Sequence, residues 1–189
     1  MPPEEGNHYG IQRAAPGRLW PHPADGAPRR RRPVRGATGL PPEKDANSIA
    51  WLVWHLTRVQ DDHVSEIAGQ EQAWLAEGWA ERFGLPAEPR FTGYGHTSEQ
   101  VGALRPESPD LLLQYLDRVI ERTNAYLGTV NSAELSRVID RSYDPPVTVG
   151  VRLVSVINDN IQHAGQARYV RGIVERRASQ PPGYPGTAH

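Results

Sequence analysis

Cysteine is absent from this 189-residue chain, which excludes disulfides, thiolate metal sites and a cysteine nucleophile. The absence suits a reducing compartment, and the chain reads as cytoplasmic. Lysine is almost missing as well: of 21 Lys and Arg residues only Lys44 is lysine. With abundant Ala, Gly and Pro, that bias resembles the coding habit of a high-GC genome. Formal net charge is only -1, so the charge balance gives no sign of a nucleic-acid partner. No apolar run approaches the roughly 20 residues of a membrane span, and no apolar stretch follows the N-terminal arginines as in a secretory signal. Gly-x-Ser-x-Gly, phosphate-loop and dinucleotide fingerprints are also missing.

What is present divides into three. Residues 1–45 are rich in Pro, Arg and Gly, carry no apolar period, and read as disordered. Arg29 to Arg32 could form a nucleic-acid patch, but a solvated charged tail is the simpler reading. Residues 46–177 carry helical periodicity over a length able to bury a sound core. Residues 178–189, with Pro181-Pro182-Gly183, read as a disordered tail.

Helix signals punctuate the middle segment. Asn47 or Ser48 can cap a helix running to about Ala68, with Ile49, Leu52, Val53, Leu56, Gln60, His63 and Ile67 on one face. His55 lies at the edge of that apolar arc and His63 nearer its centre, so either can point into a core. Residues 70–107 make a long connection. Within it Gln70 to Phe83 is helix-compatible, and Thr97-Ser-Glu-Gln100 reads as a capping box. Connections of this length tend to cover a site or cross a bundle. Tyr94 and His96, just before the box, are candidate cofactor-binding residues of a pocket wall, although both could equally be idle loop residues. Ser108 followed by Pro109 opens another helix, with Leu112, Tyr115, Leu116, Val119, Ile120, Thr123 and Leu127 on its apolar face. After a short amphipathic stretch, Asp144-Pro-Pro146 breaks the chain. Thr148 then caps a last long helix, whose expected buried side is Leu153, Val156, Ile157, Ile161, Ala164, Ala167, Val170 and Val174. No strand shows clear alternation. The expectation is an all-α bundle of three long helices, short ones and one long crossover.

Asp159 and His163 stand four apart on that last helix, hence on one face. They can close on one divalent cation or hydrogen-bond each other. If His55 is brought beside them, two imidazoles and a carboxylate converge with coordination positions left open. That set suits zinc, nickel, iron or manganese, and open positions suit catalysis. The bland alternative is that all three are hydrogen-bonded core polar groups.

Asn47-Ser-Ile-Ala-Trp-Leu-Val-Trp-His-Leu-Thr-Arg58 resembles the second helix of the DinB/YfiT-like bundle proteins, particularly their actinobacterial branch. Pro145 to Gln166, ending His-Ala-Gly-Gln, resembles the family's last core helix with its His-x-Gly-Gln signature. The resemblance covers about residues 45–177. It implies a four-helix bundle in up-down-down-up order, with residues 70–107 as the long connection. It also implies a divalent metal, zinc foremost, held by His55, Asp159 and His163. Many members have histidine where this chain has Asp159, and the related mycothiol-dependent maleylpyruvate isomerase has glutamate. The implied activity is a metal-dependent transferase that puts a low-molecular-weight thiol such as mycothiol onto electrophilic small molecules, in stress response or detoxification. A non-catalytic metal-binding stress protein, and a structural bundle without metal, are the alternatives. The family's first helix has no counterpart in residues 1–40, which resemble a high-GC gene read in the wrong frame or from a mispredicted start. A bundle so reduced exposes an apolar groove, and a homodimer is one way to cover it.

Overall fold

The computed structural model describes residue 39 and residues 41–179. The expectations for the N-terminal segment, its missing helix and the C-terminal tail therefore fall mainly outside the described residues. The fold is all-α. Three long helices dominate: α1 (Ile49–Ala68), α5 (Pro109–Leu127) and α7 (Val149–Ala178). Between them lie the short helices α2 (Ala73–Ala76), α3 (Trp79–Phe83), α4 (Ser98–Ala103) and α6 (Ser132–Ser136). A small antiparallel pair, β1 (Val138–Asp140) with β2 (Val147–Thr148), matches Val138 to Thr148 and Asp140 to Val147. This hairpin was not legible as alternation because its strands are too short to show any.

Local chemistry sets the helix ends. Ser48 accepts the Trp51 N–H, Ser108 accepts that of Asp110, and Thr148 accepts that of Val151. Thr97 and Gln100 form both halves of the capping box. Each side-chain cap contributes about 1 kcal/mol.

α1 packs against both α7 and α5. It is buried on more than the one expected face. Trp51, Trp54, His55, Arg58 and Asp61 are buried along with Leu52 and Leu56, because residues 70–107 return across the side of α1 that reads as polar. Arg58 and Asp61 are the mooring. The Arg58 guanidinium donates to Asp61 Oδ2 (3.3 Å), Tyr115 Oη (3.1 Å), Gln72 Oε1 (2.8 Å), Phe91 O (3.1 Å) and Pro89 O (2.8 Å). Asp61 accepts the Ala73 and Trp74 N–H groups at 2.9 and 2.8 Å, and the Tyr115 hydroxyl at 2.7 Å. A buried ion pair is tolerable only when its remaining hydrogen-bonding capacity is met, and here it is. Burial, partly offset by Arg58, holds the Tyr115 phenol well above its usual pKa.

Gln60 links all three long helices: Asn160 Nδ2 donates to Gln60 Oε1 (2.6 Å) and Gln60 Nε2 donates to Thr123 Oγ1 (2.8 Å). α7 departs from its expected burial. Val156, Ala167 and Val170 are buried, but Ile157 and Ile161 are 46% and 62% exposed. They lie on the side of α7 turned from α1, which periodicity alone does not separate from the packed side. No helix among the described residues is long and apolar enough to cross a membrane.

Candidate metal centre

α1 delivers His55, whose side chain is almost fully buried. Its ring stacks on Trp51, one turn earlier, at 4.6 Å between centroids and 11° between planes. Its Nδ1 lies 2.6 Å from the Thr92 carbonyl oxygen. A carbonyl only accepts, so Nδ1 carries the proton and Nε2 keeps its lone pair. Burial lowers the His55 pKa; the Thr92 bond opposes this without overcoming it. The ring is therefore held toward the neutral form that metals bind.

α7 delivers the other two residues. Asp159 Oδ1 lies 3.4 Å from His163 Nε2. His163 Nδ1 lies 3.1 Å from Gln166 Oε1; with the amide so oriented, Nδ1 donates and Nε2 again presents a lone pair. The His55 and His163 rings meet edge to face at 4.7 Å. One ligand atom from each of His55, Asp159 and His163 lies within 4.8 Å of the other two. Asp159 Oδ2 is buried and has no hydrogen-bond partner among the described residues. Two imidazoles and a carboxylate brought this close can share one cation, which would also satisfy the buried Asp159 oxygen. The residues present therefore fit a divalent metal with two nitrogen donors and one oxygen donor.

A family model for the DinB superfamily matches residues 22–167. The chain belongs to the DinB superfamily. The match begins upstream of residue 45, where the resemblance read from the sequence set in. A solved crystal structure, described as a conserved protein of locus from Enterococcus faecalis, is 34% identical with a TM-score of 0.69, over 74% of this chain and 82% of that one. No curated protein matches the chain.

The structure thus brings together the three candidate ligands read from this DinB-superfamily sequence and places the two candidate pocket residues differently from each other. Tyr94 is 94% exposed. His96 accepts a hydrogen bond from Trp51 Nε1 at 3.2 Å and lies 5.8 Å over Trp54, so it braces the aromatic wall behind His55. His63, the other core candidate on α1, instead accepts from Arg152 at 2.9 Å. Sequence reasoning missed Trp51 as a wall of the site, although its position four before His55 was a usable signal. It also missed the Thr92 carbonyl, which no side-chain pattern encodes.

Proposed function

We propose that this protein is a divalent-metal transferase that activates a low-molecular-weight thiol for attack on an electrophilic small molecule. The observation that carries the metal half is the convergence of His55, Asp159 and His163 within 4.8 Å around an Asp159 oxygen that has no partner among the described residues. Membership of a superfamily whose members generally bind metal supports it further. The thiol half rests on the resemblance to mycothiol-using relatives. Zinc suits the N, N, O donor set best, with nickel, iron and manganese next.

His55, Asp159 and His163 would hold the ion. Two imidazoles and one carboxylate would leave a divalent ion there with one net positive charge, and that charge would favour the thiolate form of a thiol at neutral pH. The sulfur forms a bond to the electrophilic carbon, the bond to its leaving group breaks, and the thiol proton goes to solvent. Trp51 walls the centre on the α1 side, and the ring of His96 braces it from behind. The reaction belongs in the cytoplasm, where such thiols are kept reduced, and the protein acts as a homodimer in this proposal.

Elemental analysis of purified protein tests the metal. One equivalent of divalent metal, lost in His163→Ala, is the expected result; absence of metal after loading refutes the proposal. Incubation of loaded protein with mycothiol and a bimane electrophile tests turnover. A rate no higher than the uncatalysed one across a panel of thiols leaves a metal-binding protein and removes the transferase.

A further inference from the structure

The segment Pro89–Gly93 crosses α1 as a strap, and α1 donors take its carbonyls in turn. Arg58 donates to Pro89 O and Phe91 O; His55, almost one turn earlier, donates to Thr92 O. Gly93 then lies directly on the rings below. A Cβ added there would stand 2.8 Å from Trp54 Cζ3, 2.9 Å from His55 Nδ1 and 3.1 Å from Trp51 Cζ2, and φ is +97°. Both the contact and the backbone demand glycine.

We propose that this strap is the positioning element of the His55 ligand, with Gly93 and Arg58 as its positioning residues. The inference rests on the metal reading above for its purpose, but not for its geometry. An imidazole on a helix can rotate about two side-chain bonds and exchange tautomers. The Thr92 carbonyl removes both freedoms at once: it selects Nδ1–H and leaves Nε2 as the ring lone pair available to the cluster with Asp159 and His163. Partners of this kind fix ring orientation at metal histidines, and their loss costs roughly 10–100-fold in metal affinity. The carbonyl can do this only if the strap sits tightly on α1. Gly93 permits that closeness, and Arg58 holds the strap from below, anchored in turn by Asp61.

The test begins with metal-free protein. Long-range 15N–1H correlation at about pH 8, above the imidazole titration range, reads the His55 tautomer directly. The Nδ1–H form is expected; the Nε2–H form overturns the proposal whatever the metal result. An Nδ1–H form in a protein that binds no metal upholds the strap and overturns the metal reading. The second arm compares Gly93→Ala with Gly95→Ala. Gly95 also has positive φ (+75°) but an added Cβ meets nothing within 4 Å, so it reports the backbone strain alone. Gly93→Ala is expected to lower zinc affinity, measured by chelator competition, about 10–100-fold more than Gly95→Ala, and to abolish the single His55 tautomer. Equal affinities in the two folded variants overturn the proposal. If Gly93→Ala does not fold, the wild-type tautomer decides.

Discussion

Asp61→Asn should unfold this protein far more readily than a neutral-for-acidic change on a helix normally does. In the structure Asp61 is 2% exposed and Arg58 fully buried. The carboxylate accepts two backbone N–H groups, the Tyr115 hydroxyl and an Arg58 N–H. Asparagine keeps the shape, but its NH2 group faces donors, and the guanidinium loses its only anionic contact among the described residues. Removing one partner from a buried ion pair costs about 3–5 kcal/mol. Against a whole-domain stability of about 5–15 kcal/mol, that is a large fraction. With a urea m-value of about 2 kcal/mol/M, the midpoint should fall by about 1.5–2.5 M. Equilibrium urea unfolding of metal-free protein, followed by tryptophan fluorescence and circular dichroism, measures it. The double variant Arg58→Met/Asp61→Leu should cost less than the sum of its singles, since no charge is left stranded. A loss below about 1 kcal/mol for Asp61→Asn, within the range of an ordinary surface substitution, would refute the view of Arg58–Asp61 as the mooring of the connection.

Three further outcomes are expected. Asp159→Asn should weaken metal binding at least about tenfold, as loss of a charged ligand does, and erase the metal-dependent rise in Tm; unchanged chelator-competition affinity would remove Asp159 from the site. Metal-free protein should lose stability as pH falls through about 6.5, the pKa an unfolded histidine has. His55, His63 and His96 are all lowered, chiefly by burial, so the unfolded chain takes protons first and their contribution is complete only above that range. Burial raises Asp62, which acts oppositely but in the carboxylate range; thermal melts across this span that rise on acidification would contradict the histidine assignment. Trp74→Phe should cost about 1 kcal/mol more than Trp54→Phe, because both rings are fully buried but, among the described residues, only Trp74 Nε1 of the two has a partner, the Pro86 carbonyl. Paired urea titrations compare them, and equal costs would refute the hydrogen-bond account.

Helix limits were legible in the sequence because caps act within one turn. Ser48, Thr97 with Gln100, Ser108 with Pro109, and Thr148 all sit where their side chains meet their own helix's first N–H groups. Asp159 and His163 were legible for the same reason, since four residues of helix set their distance. His55 joined them on the condition that its helix is a neighbour, which the resemblance implied and α1 packing against α7 supplies.

Burial was less legible, because periodicity counts apolar residues and not what lies opposite them. Arg58 and Asp61 were not on the expected apolar face, yet they are among the most buried residues, while Ile157 and Ile161 read as core and are exposed. The sequence by itself determined three long helices, their ends and an i, i+4 Asp–His pair, all products of interactions a few residues long. Tertiary structure decided that residues 70–107 fold back over α1, that Tyr94 is exposed, and that a backbone carbonyl at Thr92 orients His55. These depend on contacts between segments 33 to 37 residues apart in the chain, and a carbonyl group looks the same at every position until the fold brings one of them within reach.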